Sequence, residues 1–248
     1  MMQLYAVLSV VFVSLLSLLG ALFLVFERKV IENLVTYTLA LSSGILLGAA
    51  FLDVLPEGLA KVNSDTAFIY VLTGIVVFFG LEKLISWHHH ADEDKELKAE
   101  KPVAYLTLIG DGIHNFMDGL VIGISYLVSI PLGLITTVAI VGHEIPHELS
   151  DFVVLIYGGF SNKKALAWNF LSGLTATLGT LIVLFASQAI TAHTDFLLPF
   201  AAGNFIYIAS SDLIPELHKK RQPGASAVQL VLLILGIAII YFLKQNLH

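Results

Sequence analysis

The chain has 248 residues, 57% of them hydrophobic and 13% charged, with a mean hydropathy of +0.86; soluble domains carry about 25% charged residues, so little of this chain belongs to a soluble domain. The absence of cysteine excludes disulfides, thiolate-held zinc and thiol chemistry. A formal net charge of −6 argues against a nucleic-acid partner.

A helix that crosses a bilayer needs about 20 mostly apolar residues. In chain order the sequence predicts eight spans, over 4–26, 34–57, 67–86, 103–128, 131–158, 164–190, 196–217 and 226–244. The expected fold is therefore an all-α polytopic membrane protein forming one transmembrane domain, 1–248. The first segment lacks a basic leader and a small-residue cleavage site, so it reads as a retained helix and not a signal peptide. Connections are short except 87–102, where His88, His89 and His90 precede Asp92, Glu93 and Asp94. That run suits either a metal-binding loop or a solvated charged one.

Basic residues set the expected orientation. Of the 13 Lys and Arg, 11 fall in alternate loops, 27–33, 87–102, 159–164 and 218–225, or at their edges, and Lys61 and Lys244 alone fall on the other side. The positive-inside rule then makes those loops cytoplasmic and leaves both termini outside.

The second and seventh spans share a pattern. Gly44, Asp53, Pro56 and Glu57 recur as Gly203, Asp212, Pro215 and Glu216, each 159 residues on. Spans five apart run in opposite directions, so this predicts an inverted repeat, spans 1–3 against 6–8, around a central pair 4–5. Such repeats belong to transporters with sites near the bilayer midplane.

Ionisable groups in hydrocarbon are costly and mark function. In span four, His114 and Asp118 are spaced i, i+4 and share a helix face, with Asn115 beside them and Asp111 a turn earlier. In span five, His143 and His147 repeat that spacing, Asp151 follows a turn later, and Glu144 and Glu148 form a neighbouring row. Only Ser129-Ile130-Pro131 joins the two spans, so they are antiparallel neighbours. Matching depths across that turn brings His114 and Asp118 to the level of His143 and His147, roughly 17–24 Å along each helix at 1.5 Å per residue. Three imidazoles and a carboxylate at one depth suit tetrahedral Zn²⁺, and the same ligand types admit Fe²⁺, Mn²⁺ or Cd²⁺. Pro146 lies between the two ligand candidates. It leaves the Gly142 carbonyl without its i+4 donor, which predicts a kink.

His143-Glu144-Ile145-Pro146-His147 also fits H-E-x-x-H, the zinc-protease pattern in which Glu is the general base. An intramembrane zinc hydrolase is thus the rival to a transporter. Against it stand the proline inside the motif, a ligand set already filled by His114 and Asp118, and a repeat with no place in a protease.

At these residues the chain resembles the ZIP (Zrt/Irt-like protein) divalent-metal transporters, specifically the subgroup with HNFxDG in the fourth helix and HExPHExxD in the fifth. The resemblance implies a non-enzymatic carrier or channel, often a homodimer, that passes zinc or a related ion into the cytoplasm. It implies His114, Asp118, His143 and His147 as primary ligands, with Asn115 and Glu144 in an adjoining site. The expected route starts at Asp53 and Glu57. It crosses the central site, where Asp111, Glu148 and Asp151 orient ligands or carry protons, and leaves past Asp212, Glu216 and His218. Small size and minimal loops suggest a prokaryotic plasma membrane.

Overall fold

The computed structural model describes residues 1–24, 26, 28–90, 102–219 and 223–247. Among these residues the chain is helical, without strands, and forms eight rods. They are α1 (Met2–Leu16, prolonged by the 3₁₀ stretch Ser17–Leu24), α2 (Arg28–Ala49, a π turn Ala50–Val54, then Leu55–Leu59), α3 (Ser64–His90) and α4 (Pro102–Val128). The chain continues through α5 (Ile130–Tyr157), α6 (Asn162–Phe185), α7 (Thr194–Tyr207, a π turn Ile208–Leu213, then Ile214–His218) and α8 (Pro223–Leu247). The expected spans are all present. The sixth ends at Phe185, before the position expected, and a separate short turn, Ser187–Thr191, follows it. The loop 91–101 lies outside the described residues. His88, His89 and His90 end α3, and their side chains are likewise outside the description.

Six of the rods are long and apolar enough to cross a membrane on those grounds alone. The other two, α4 and α5, have 27 and 28 residues and carry the ionisable motifs. They pack on each other, with α1, α2 and the 3₁₀ stretch against α5, and α1, α6 and α7 against α4. Ser129 joins them: its hydroxyl accepts from the Leu132 amide at 3.2 Å and so caps α5, while Pro131 needs no donor partner in the first turn.

The inverted repeat governs the packing. A Cβ on Gly44 of α2 would collide with the Leu233 carbonyl of α8, and one on Gly203 of α7 with the Val71 carbonyl of α3. The reciprocal glycines behave alike, Gly236 meeting Leu41 and Gly74 meeting Phe200. Leu41 and Phe200 are again 159 residues apart. The α2–α8 contact is therefore repeated, inverted, as the α7–α3 contact. On the axis between the halves, Ser14 of α1 donates to the Gly173 carbonyl of α6 at 2.8 Å, and these two residues are themselves 159 apart. Both π turns also fall at equivalent places, just before Pro56 and Pro215. A proline cannot supply the amide that closes the preceding turn, and a wider turn is one way to absorb that loss.

The same loss at Pro146 is met differently. α5 runs continuously through this residue, and the Gly142 carbonyl that it frees accepts from the Ser42 hydroxyl of α2 at 2.5 Å. A buried carbonyl in a membrane protein needs such a donor, and here another rod supplies it.

Candidate metal centre

α4 and α5 bring His114, Asp118, His143 and Glu144 together, one ligand atom of each lying within 4.8 Å of the others. Nε2 of His143 is 2.9 Å from Asp118 Oδ2 and 3.5 Å from Glu144 Oε1. Nε2 of His114 is 3.4 Å from the same Glu144 oxygen and 3.8 Å from Asp118 Oδ2. The two Nε2 atoms are 3.2 Å apart. Asp118, His143 and Glu144 are at most 1% exposed, and His114 is 16% exposed.

This cluster calls for a positive centre. His143 Nδ1 lies 3.1 Å from the Ala139 carbonyl, where it can act only as donor, and in the neutral ring this leaves the Nε2 lone pair directed at Asp118 and His114. Neither oxygen of Asp118 or of Glu144 accepts a hydrogen bond, although all four are buried. Buried carboxylates left so are strongly unfavourable unless a cation compensates them. Two carboxylates match the charge of a dication, and two imidazoles complete a four-donor set of the kind that zinc takes.

His147 is not in this group. Its ring stacks on that of His114, with centroids 4.8 Å apart and planes at 8°, and its Nδ1 is 3.7 Å from Asp151 Oδ2. With Asp111 and Asp151 it forms a second convergent set. The i, i+4 spacing put His143 and His147 on one face, but His147 groups with Asp111 and Asp151 and not with His143. Consequently the two histidines of H-E-x-x-H do not converge on one point, and Glu144 stands among the ligand atoms, not apart from them as a general base. Asn115 donates to Asp111 Oδ1 at 2.8 Å, Ser172 donates to Asp111 Oδ2, and Asn169 donates to Glu148 Oε2 at 2.5 Å. Asn115, Glu148 and α6 thus brace the second set and its surroundings. Ser172 and Asn169 carried no motif that would single them out.

A cavity of about 210 Å³ reaches both sets, with Glu82, Asp111, His114, His147, Asp151 and Asp212 in its wall. Its acids come from α3, α4, α5 and α7, each toward the helix end opposite the chain termini. Glu216 pairs with the exposed Lys219 and is not in that wall; nor is His218. Toward the other end Asp53 is 2% exposed, with Lys244 Nζ 3.7 Å from its Oδ1, and Glu57 is half-buried.

The sequence profile of the ZIP zinc transporters matches residues 1–102 and 86–244. The chain belongs to the ZIP zinc transporter family. It is 30% identical to zinc transporter zipt-7.2 of Caenorhabditis elegans over 96% of its own length and 65% of that protein's. It is 34% identical to zinc transporter ZIP13 of Pongo abelii, over 81% of this chain and 64% of that one. Zinc transporter YKE4 of Saccharomyces cerevisiae is 28% identical over 97% of this chain and 80% of the yeast protein. The chain spans just under two thirds of the length of the first two relatives. All three come from eukaryotes, which goes against the prokaryotic expectation drawn from small size and short loops.

Proposed function

We propose that this ZIP-family protein moves a divalent metal ion, zinc first among the candidates, across a membrane through the His114–Asp118–His143–Glu144 site toward the side bearing most of the Lys and Arg, the cytoplasm. The observation that carries the proposal is the set of four buried carboxylate oxygens without hydrogen bonds, facing two imidazole nitrogens at mid-helix depth. Relatives named as zinc transporters support the choice of cargo.

In this reading a hydrated ion approaches past Glu57 and Asp53. Asp118 and Glu144 replace its water and cancel its charge, while His114 and His143 fix the tetrahedral geometry. Binding must be firm enough for dehydration and loose enough for release. Release runs over His147, whose ring already lies against His114, to Asp111 and Asp151 and then along Glu82 and Asp212 in the cavity wall.

The test is metal uptake into proteoliposomes by the wild type and by His143→Ala. Protein-dependent uptake of zinc, iron, manganese or cadmium that the substitution abolishes is expected. No flux of any of them through the wild type would sink the transport reading.

A further inference from the structure

The repeat that relates α2 to α7 also relates α3 to α8. Gly74 and Gly236, which meet α7 and α2 respectively, are 162 residues apart, as are Val71 and Leu233, whose carbonyls crowd Gly203 and Gly44. At this same spacing Ile75 corresponds to Ile237, Leu81 to Leu243, and Glu82 to Lys244. The inverted halves thus keep the acid of the broken helix, Asp53 or Asp212, and reverse the charge of the residue beside it.

The two ends differ accordingly. At the end bearing the termini, Lys244 Nζ donates to the Leu52 carbonyl, which Pro56 deprives of its i+4 amide, and lies 3.7 Å from Asp53 Oδ1. Asp53 is 2% exposed and Lys244 31% exposed. At the opposite end Glu82 accepts from Tyr207, and Glu82 and Asp212 both line the open cavity. Two carboxylates repel each other and need water or a cation between them. A carboxylate beside an ammonium is neutral as a pair and tolerates closure.

We infer that Lys244 is a tethered cation at the termini-side mouth: its ammonium fills the position beside Asp53 that an incoming divalent ion takes, and holds that mouth shut until the ion displaces it. This rests on the transport reading above and adds an access and selectivity residue to it. Coulomb attraction scales with charge. A monovalent ion therefore gains nothing over the ammonium already present, whereas a dication outcompetes it. Glu82, the counterpart at the other end, offers the released ion a second carboxylate where Lys244 offers the arriving one a competitor.

The test uses the absence of cysteine. In full-length protein carrying Ala49→Cys, one turn deeper than Asp53 on α2, an impermeant thiol reagent is applied from the termini side of proteoliposomes. Lys244→Gln is expected to speed labelling and to lower the half-saturating zinc concentration for uptake, each by roughly three- to fivefold. Lys244→Arg, which keeps the charge, is expected to match the parent in both. Labelling of Lys244→Gln at the parent rate overturns the inference whether or not flux is detected. Faster labelling with an unchanged half-saturating concentration overturns it too, since the lysine then does not compete with the metal. Wild-type vesicles without flux, but with charge-dependent labelling, would count against the transport reading alone and support the latch.

Discussion

Ser42 and Pro146 offer a test of how α2 supports α5. Pro146 leaves the Gly142 carbonyl without its own-helix donor, and the Ser42 hydroxyl, 2.5 Å away, takes that role. Ser42→Ala strands the carbonyl in a buried setting, which costs about 1–3 kcal/mol. At roughly 2–4 °C per kcal/mol for a chain of this size, thermal unfolding in detergent should fall by several degrees. In a Pro146→Ala background the restored amide at 146 reaches Gly142 O itself. The Ser42 hydroxyl can then turn wholly to the Thr38 carbonyl, 2.6 Å away, to which it already lies close. Ser42→Ala should there cost only about 0.5 kcal/mol, the low end of the net worth of one hydrogen bond, because it removes the donor to Thr38 and leaves no carbonyl orphaned by a proline. The double-mutant cycle, read from unfolding midpoints of the four proteins, should give a coupling of about 1–2 kcal/mol. Equal losses in both backgrounds would refute the argument that the serine exists to satisfy the proline's orphan.

Asp118→Asn removes one of the two carboxylates in the four-residue set and should weaken zinc binding about 100- to 1,000-fold, the effect of breaking a buried charge pair; a stoichiometric metal count after desalting would contradict it. His147→Ala should keep near-stoichiometric zinc while slowing uptake. Loss of the bound ion instead would return His147 to the ligand set. Gly44→Ala and Gly203→Ala each press a Cβ into a backbone carbonyl of the facing rod and should destabilise to similar degrees, about 1–3 kcal/mol or more. A large loss from one and none from the other would break the proposed equivalence of the α2–α8 and α7–α3 contacts.

Much of this arrangement is legible in the residues, and the parts that are not share a cause. Hydropathy marks the rods because lipid admits little else, and the very short connection at Ser129 forces α4 and α5 to meet at equal depth. His114 accordingly reaches His143 and Glu144. Periodicity says only which face a side chain leaves from, not which neighbour wins it. That is why His147, on the face of His143, is found with Asp151 and Asp111 while Glu144, expected in an adjoining site, joins the four-membered group. The π turns are hydrogen-bond shifts with no hydropathic trace, announced only by Asp-x-x-Pro. Lys244 counted in the sequence merely as an exception to the charge bias. Its contacts with Leu52 and Asp53, which lie 192 and 191 residues away in the chain, belong to tertiary structure.

The centre also has a relation to the repeat that explains its composition. If the halves exchange α1 with α6 and α2 with α7, they exchange α4 with α5, and the counterpart of His114 is then His143, 29 residues on. Like Ser14 and Gly173, these two meet directly, with Nε2 atoms 3.2 Å apart, so the histidine pair lies where the halves face each other. At that spacing Asn115 corresponds to Glu144 and Asp118 to His147. A fully symmetric site would present equal ligands to both ends and give the ion no direction. Here the carboxylate of each corresponding pair enters the deep site. Its partner from the other half, Asn115 or His147, faces Asp111 or Asp151, the acids nearer the open cavity. On the proposed transport reading, the deep set carries the charge that would capture a dication, and the partners left over would build the step by which it leaves.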